Sequence, residues 1–262
     1  MDPGLKTSAS GMAAQQTRMD VIANNLANVN TPGFKRSRAQ FEDLLYETVR
    51  GEQTVSTPGA EVTAQAQIGR GTRLAGVARV HAQGQFEVTE RPLDLAIDGE
   101  GLFQVRRPDD TIAYTRDGSF SLSDQGIVIT SGGYPLLPEI QVSEDMTELM
   151  ISRTGIVTAR VDGQIDPVEL GRIELARFPN EPGLKAIGEN LWVETAASGQ
   201  PMLGASQEDG FGRMVQGALE SSNVQVVQEM VDMIAALRAY EVNAKAVQAS
   251  EDMAEVTNSL AR

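Results

Sequence analysis

The chain has no cysteine, so neither a disulfide framework nor thiolate chemistry is available to its 262 residues. That absence suits passage into an oxidising compartment. A single histidine, His81, excludes multi-histidine metal sites and leaves any Ser-His-Asp triad resting on one side chain in a strand-like run. Aromatic residues make up only 5%, which leaves few large anchors for a core. No apolar run approaches the ~18 residues of a spanning helix. The start lacks the charged, apolar and small-residue regions of a secretory signal, so classical secretion is not indicated. Positive charge is also scarce, with a formal net charge of −14. Residues 1–50 carry six basic and five acidic groups, whereas 51–220 carry thirteen and twenty-five. Such a middle repels phosphate backbones and excludes nucleic acid as a partner.

Chemistry-bearing motifs are equally thin. Gly99-Glu100-Gly101 lacks the third glycine and following helix of a dinucleotide loop, and Gly69-Arg70-Gly71 lacks the Gly-Lys-Ser/Thr ending of a phosphate loop. Both read as tight turns. Asp109, Asp110, Asp117 and Asp124 do not have EF-hand spacing. The expectation is a protein with no catalytic residues, no metal and no cofactor.

What the chain does have begins at its ends. Leu5, Met12, Met19 and Leu26 share one heptad position, and Ser8, Gln15, Ile22 and Val29 fall three residues later. The spacing predicts a helix from about Leu5 to Asn28, roughly 36 Å long at ~1.5 Å per residue, stopped by Asn30-Thr31-Pro32-Gly33. Its half-apolar stripe requires a partner, expected at the other end of the chain. There, Ala218 to Arg262 contains neither glycine nor proline, and Val227, Met230, Ile234, Leu237, Tyr240, Ala244 and Val247 recur at spacings of three and four. Both stripes are too narrow for a globular core, which points to a coiled coil or an assembly. Asn24, Asn25, Asn28 and Asn30 are poor helix formers with two readings: local caps near the helix end, or carboxamides bonded across a helix seam.

Between the helices the pattern changes. Phe41, Leu44, Leu45 and Val49 have helix-like spacing, and the basic run Lys35-Arg36-Ser37-Arg38 fits either a neighbour's acidic middle or a solvated helix start. Residues 51–71 have linker composition. From Thr72 to about Phe178 short β-rich runs alternate with turns, with Asp117-Gly118, Asp124-Gln125-Gly126 and a type I′ hairpin signal at Asp162-Gly163. Leu191-Trp192-Val193-Glu194 reads as one more strand. With no helix alternating with these runs, the middle is an antiparallel β domain. The fold class is α+β: long N- and C-terminal helices forming a coiled-coil stalk, with the β domain inserted so that its two ends lie close together. The boundaries fall at 1–45 (helix and the turn after it), 46–71, 72–215 (β domain) and 216–262 (second helix).

Three stretches resemble a known family. Met19 to Lys35, with Asn24, Asn25, Asn28, Pro32, Gly33 and Phe34, closely resembles the N-terminal signature of the bacterial flagellar axial proteins, the rod, hook and hook-associated subunits. Glu220 to Val224, Met233-Ile234 and Arg238 to Asn243 resemble their C-terminal helix, and Pro92 to Val105 with Tyr114 to Phe120 resemble their central segment. Leu102-Phe103 departs from the two aromatics common there. Phe41 to Arg50 and Gln67 to Thr72 are similar to the distal-rod members, so the resemblance implies an ordered arm, extended or hairpin-like, at 46–71. It further implies a structural subunit that polymerises helically into a rigid shaft carrying torque from motor to hook. The seam would be formed by Leu5, Met12, Met19, Ile22, Leu26, Val29, Val227, Met230, Ile234, Leu237 and Tyr240. The implied partners are further copies of itself, the proximal rod proteins, the hook protein, the P-ring and L-ring proteins, the flagellar export apparatus and the rod cap. The implied place is the flagellar basal body from periplasm to outer membrane, reached by type III export without a cleavable signal. Within the family the alternative is a proximal rod or hook subunit. Outside it, the alternative is a secreted β-domain hydrolase or glycan-binding protein, which the absence of a paired acid/base constellation disfavours.

Overall fold

The computed structural model describes residues 3–57, 60–143, 146–161 and 166–260. The chain divides into two units: Met1–Leu26 with Ser37–Ala78 and Gln225–Arg262, and Ala27–Arg36 with Arg79–Val224. The architecture is α+β, with a helix near each end and strands between.

The first unit holds all but the last residue of α1 (Pro3–Ala27), β1 (Ser37–Asp43), β2 (Tyr46–Thr57), β3 (Ala60–Gly69), all but the last residue of β4 (Thr72–Arg79), and α2 (Val226–Leu260). β1 pairs with β4, and β2 pairs antiparallel with β3 from Tyr46 opposite Gly69 to Thr57 opposite Ala60. The helix-like spacing of Phe41 to Val49 is thus overridden. In β1 the side chains at 37, 39 and 41 are more buried than those at 38, 40 and 42, which is the period-two pattern of a strand.

α1 and α2 run antiparallel: Arg18 pairs with Asp232, Asn25 bonds Glu229, and a side chain at Gly11 would collide with that of Asn243. Glycine at 11 permits that approach. α2 meets α1 through Glu229, Asp232 and Asn243, with the fully buried Ala236 in the same row, and not through the stripe from Val227 to Tyr240; Ala244 and Val247, at the end of the stripe, are half-buried. The stripe precedes that row by two residues, roughly 200° around a helix at ~100° per residue, so Val227, Met230, Ile234, Leu237 and Tyr240 face outward and are exposed. α2 also starts later than its lack of breakers suggests, because residues 218–220 form a strand and Asn223 is bonded elsewhere.

The second unit contains β5 (Phe86–Val88), β6 (Leu95–Asp98), β7 (Leu102–Arg106), β8 (Ile112–Thr115), β9 (Phe120–Leu122), β10 (Val128–Thr130), β11 (Leu136–Leu137), β12 (Met146–Ile151), β13 (Ile156–Val161), β14 (Val168–Arg172), β15 (Glu174–Arg177), β16 (Lys185–Gly188), β17 (Leu191–Val193), β18 (Met202–Ala205), β19 (Arg213–Gln216) and β20 (Ala218–Glu220). Their registered pairings are antiparallel. The largest sheet runs β16-β17-β8-β7-β15-β18, with β11 also on β7. Alternation places Phe103, Val105, Ala113, Leu175 and Leu191 in the main core with Leu95, Ile97, Phe120, Ile173 and Met214. Leu102, Tyr114, Ala176, Phe178 and Trp192 form a smaller apolar layer. The apolar run 168–175 is split at Ile173, so β14 joins β12 and β13 while β15 joins the large sheet. The turn at Asp124-Gln125-Gly126 links β9 to β10. Asp162-Gly163 lies outside the described residues.

Candidate assembly surface and the buried ion cluster

Residues 28–36 leave the helical conformation and form a strap on the second unit. Gly33 has φ +68°, and a Cβ there would sit 2.7 Å from the Asp117 nitrogen, so both the left-handed backbone and the close approach require glycine. Its N–H donates to the Glu220 carbonyl at 2.7 Å, and Asn190 Nδ2 donates to the Pro32 carbonyl at 3.2 Å. Phe34 is half-buried and its carbonyl accepts from Asn223 N. Arg36 N donates to Asn223 Oδ1 at 2.7 Å, and Val80 N donates to the Arg36 carbonyl at 2.9 Å. Residues 36, 80 and 223, where the chain passes out of this unit, therefore lie side by side.

Beside the strap, three charged side chains are removed from water. Lys35, Glu220 and Arg116 are 4%, 1% and 6% exposed. Glu220 Oε1 accepts from Lys35 Nζ at 2.6 Å and Gly84 N at 2.8 Å, and Oε2 accepts from Arg116 Nε at 2.5 Å. The Arg116 guanidinium also donates to the carbonyls of Ile97, Gly99 and Gly101, and so ties down the Gly-x-Gly turn. Two cations thus share one carboxylate. Burial works against the Glu220 charge, but Arg116 and Lys35 outweigh it and hold the carboxyl below its usual range. On Lys35, burial outweighs the attraction of Glu220 and lowers the ammonium from its ordinary value. His81 lies 3.5 Å from Glu181 and is tilted against Trp192, and burial, with Lys35, Arg79 and Arg116 adding repulsion, lowers it to about 4. A cavity of about 220 Å³ opens between Lys35, His81, Gly101, Arg116 and Glu181.

The asparagines differ in their surroundings. Asn25 is buried in the first unit, where it donates to the Ser37 carbonyl at 2.9 Å, accepts from Ser37 N at 2.8 Å, and donates across the helices to Glu229 at 3.2 Å. Asn28 Oδ1 accepts from Thr31 Oγ1 at 3.3 Å, while Asn24 and Asn30 are exposed. Ile22 is buried and Leu5, Met12, Met19, Leu26 and Val29 are half-buried. On α2 the stripe from Val227 to Leu237 is exposed, with Val231 and Val242 beside it. The ion cluster escaped sequence reasoning because its members lie 185 and 104 residues from one another. Both readings of the basic run place its charge at the surface, but Lys35 is internal.

Three family descriptions match the chain. "Flagella basal body rod protein" matches residues 5–35, "Flagellar hook protein FlgE/F/G D1 domain" matches 96–159, and "Flagellar basal body rod FlgEFG protein C-terminal" matches 215–260. Each of these segments supplies one member of the ion cluster. The flagellar basal-body rod protein FlgG of Borreliella burgdorferi is 48% identical, with 98% of each chain covered. FlgG of Caulobacter vibrioides is 46% identical over 98% of each chain, whereas FlgF of the same organism is 34% identical over 99% of this chain and 96% of its own. The chain belongs to the FlgG family of flagellar basal-body rod proteins.

Proposed function

We propose that this chain is a non-catalytic subunit of the distal flagellar rod, one that polymerises helically with copies of itself into the shaft between motor and hook. The observation that carries the reading is the outward face of α2. Val227, Met230, Ile234 and Leu237 are each about half exposed or more on a helix whose opposite face is already occupied by α1. Burying an apolar side chain of this size is worth ~1.5–3 kcal/mol from full exposure. Four or five half-exposed residues would thus contribute roughly 4–6 kcal/mol per seam, repeated along the polymer. The assembled helices would then form the coiled-coil stalk, with Leu5, Met12, Met19, Ile22, Leu26 and Val29 completing its interior from α1. The partners that fit are the proximal rod proteins and the hook protein at the two ends, the P-ring and L-ring proteins around the shaft, and the export apparatus and rod cap during delivery. The place that fits is the basal body from periplasm to outer membrane.

Ile234→Asp tests the reading. Position 234 is exposed in the single chain, so the variant is expected to fold as the parent does. In a dry seam the unpaired charge costs several kcal/mol, and filament yield in electron micrographs should fall below detection. Filaments at parental yield would overturn the seam.

A further inference from the structure

The strap is seated chiefly from the C-terminal side of the chain. Gly33, Lys35 and Arg36 donate to Glu220 and Asn223, while Asn223 N donates to the Phe34 carbonyl. The same two residues also hold the third participant: Asn223 Nδ2 donates to the carbonyls of Val80 and Ala82, both at 2.8 Å, and Glu220 Oε1 accepts from Gly84 N. Residues 220–223 are therefore the common anchor of two segments, and they lie 185–189 residues beyond the strap positions they bind. Glu220 is also the carboxylate on which the ion pairs of both Lys35 and Arg116 end.

We propose that residues 220–223 are a latch, and that the N-terminal strap docks on the β unit only after they have arrived. Seating Lys35 beside Arg116 without Glu220 would bury two cations short of the carboxylate that pairs with both, with only Glu181 on the same cavity, and desolvation and mutual repulsion both oppose it. Nothing comparable delays β7 and β8, whose register pairs Phe103 with Thr115 through a short connection. Contacts this local form early, whereas contacts across almost the whole chain carry a loop-closure cost that must be met first. A chain synthesised or delivered from its N-terminus thus keeps its strap undocked until Asn223 has followed.

Hydrogen exchange read by mass spectrometry on the full chain tests this. In pulse labelling during refolding, peptides covering 31–36 are expected to gain protection together with those covering 218–223, and after those covering 102–115. In native Glu220→Gln and Asn223→Ala, exchange of 31–36 and 79–85 should accelerate at least tenfold more than exchange of 102–115. Protection of 31–36 before 218–223 would overturn the latch. So would parental exchange of the strap in both variants, or equal acceleration of strap and core. Should Glu220→Gln fail to fold, Asn223→Ala and the refolding order of the parent decide the matter.

Discussion

Replacing Glu220 with glutamine keeps the shape of the side chain and removes the one negative charge that two buried cations share. The parent cluster of Lys35, Arg116 and Glu220 carries a net charge of +1, and the variant carries +2 in the same volume. Three bonds of 2.6, 2.8 and 2.5 Å end on the carboxylate, and a carboxamide accepts with only one of its two atoms. Its NH₂ would meet either Lys35 Nζ or Arg116 Nε, donor against donor. Leaving buried charge uncompensated costs about 3–5 kcal/mol. Lys35→Met should cost less, about 1–2 kcal/mol, because it leaves Glu220 and Arg116 as a neutral pair and loses mainly hydrogen bonds. The order of the two variants is therefore the informative quantity. Trp192, the only tryptophan and buried in the same unit, reports urea unfolding by its fluorescence. If Glu220→Gln falls within 1 kcal/mol of the parent, or Lys35→Met proves the more damaging, the charge reasoning is wrong.

The pH profile follows from His81. Its folded value of about 4 lies below the ordinary 6.5, so in this window the unfolded chain binds the extra proton. Its contribution is full above the ordinary value and is lost as pH falls towards 4, by up to roughly 3 kcal/mol at 1.36 kcal/mol per pH unit. Glu181, raised by burial, acts with the opposite sign, so the comparison to make is with His81→Asn, whose thermal midpoint should fall less between pH 7 and 5. An equal fall in both proteins refutes the assignment. The contribution of Glu220 lasts to lower pH, since a depressed carboxyl loses its stabilising effect only as pH drops through its folded value. Gly33→Ala should cost about 1–3 kcal/mol from the left-handed backbone alone, with the Asp117 clash added, measurable as a lowered urea midpoint. Deleting residues 51–61 removes the distal part of the β2–β3 pairing, from Gln53 opposite Ala64 onward, while leaving both helices. The expected polymer assembles but is curved or flexible in negative stain, and straight, stiff filaments would place rigidity elsewhere.

Much of this fold is legible because it is local. The heptad at Leu5 to Leu26 and the breaker at Pro32-Gly33 bound α1 to within a few residues, and the alternation of Leu102 to Val105 marks β7 before any partner is known. Short strands such as β16 and β18 to β20 escape because three or four residues carry too little period to read. The stripe on α2 is visible, but which face meets α1 is not: the packed face is made of Glu229, Asp232, Ala236 and Asn243, where charge pairing and small size replace hydrophobicity. Phe41 to Val49 misleads because four apolar residues at spacings of three, one and four fit a helix as well as two strands joined by a turn. Lys35, Arg116 and Glu220 are each unremarkable in the sequence, and only the crossing of distant segments makes them a cluster.

The absence of cysteine offers the most direct test of the seam. Ile234→Cys introduces one thiol into a thiol-free chain, at a position 60% exposed in the single subunit. A maleimide reagent should label the unassembled protein rapidly. In the polymer, labelling at 234 should slow at least tenfold, towards the rate of a buried reference such as Ser206→Cys. Equal labelling of Ile234→Cys before and after assembly would contradict the account, because the stripe of α2 would then remain in water in the shaft it is held to build.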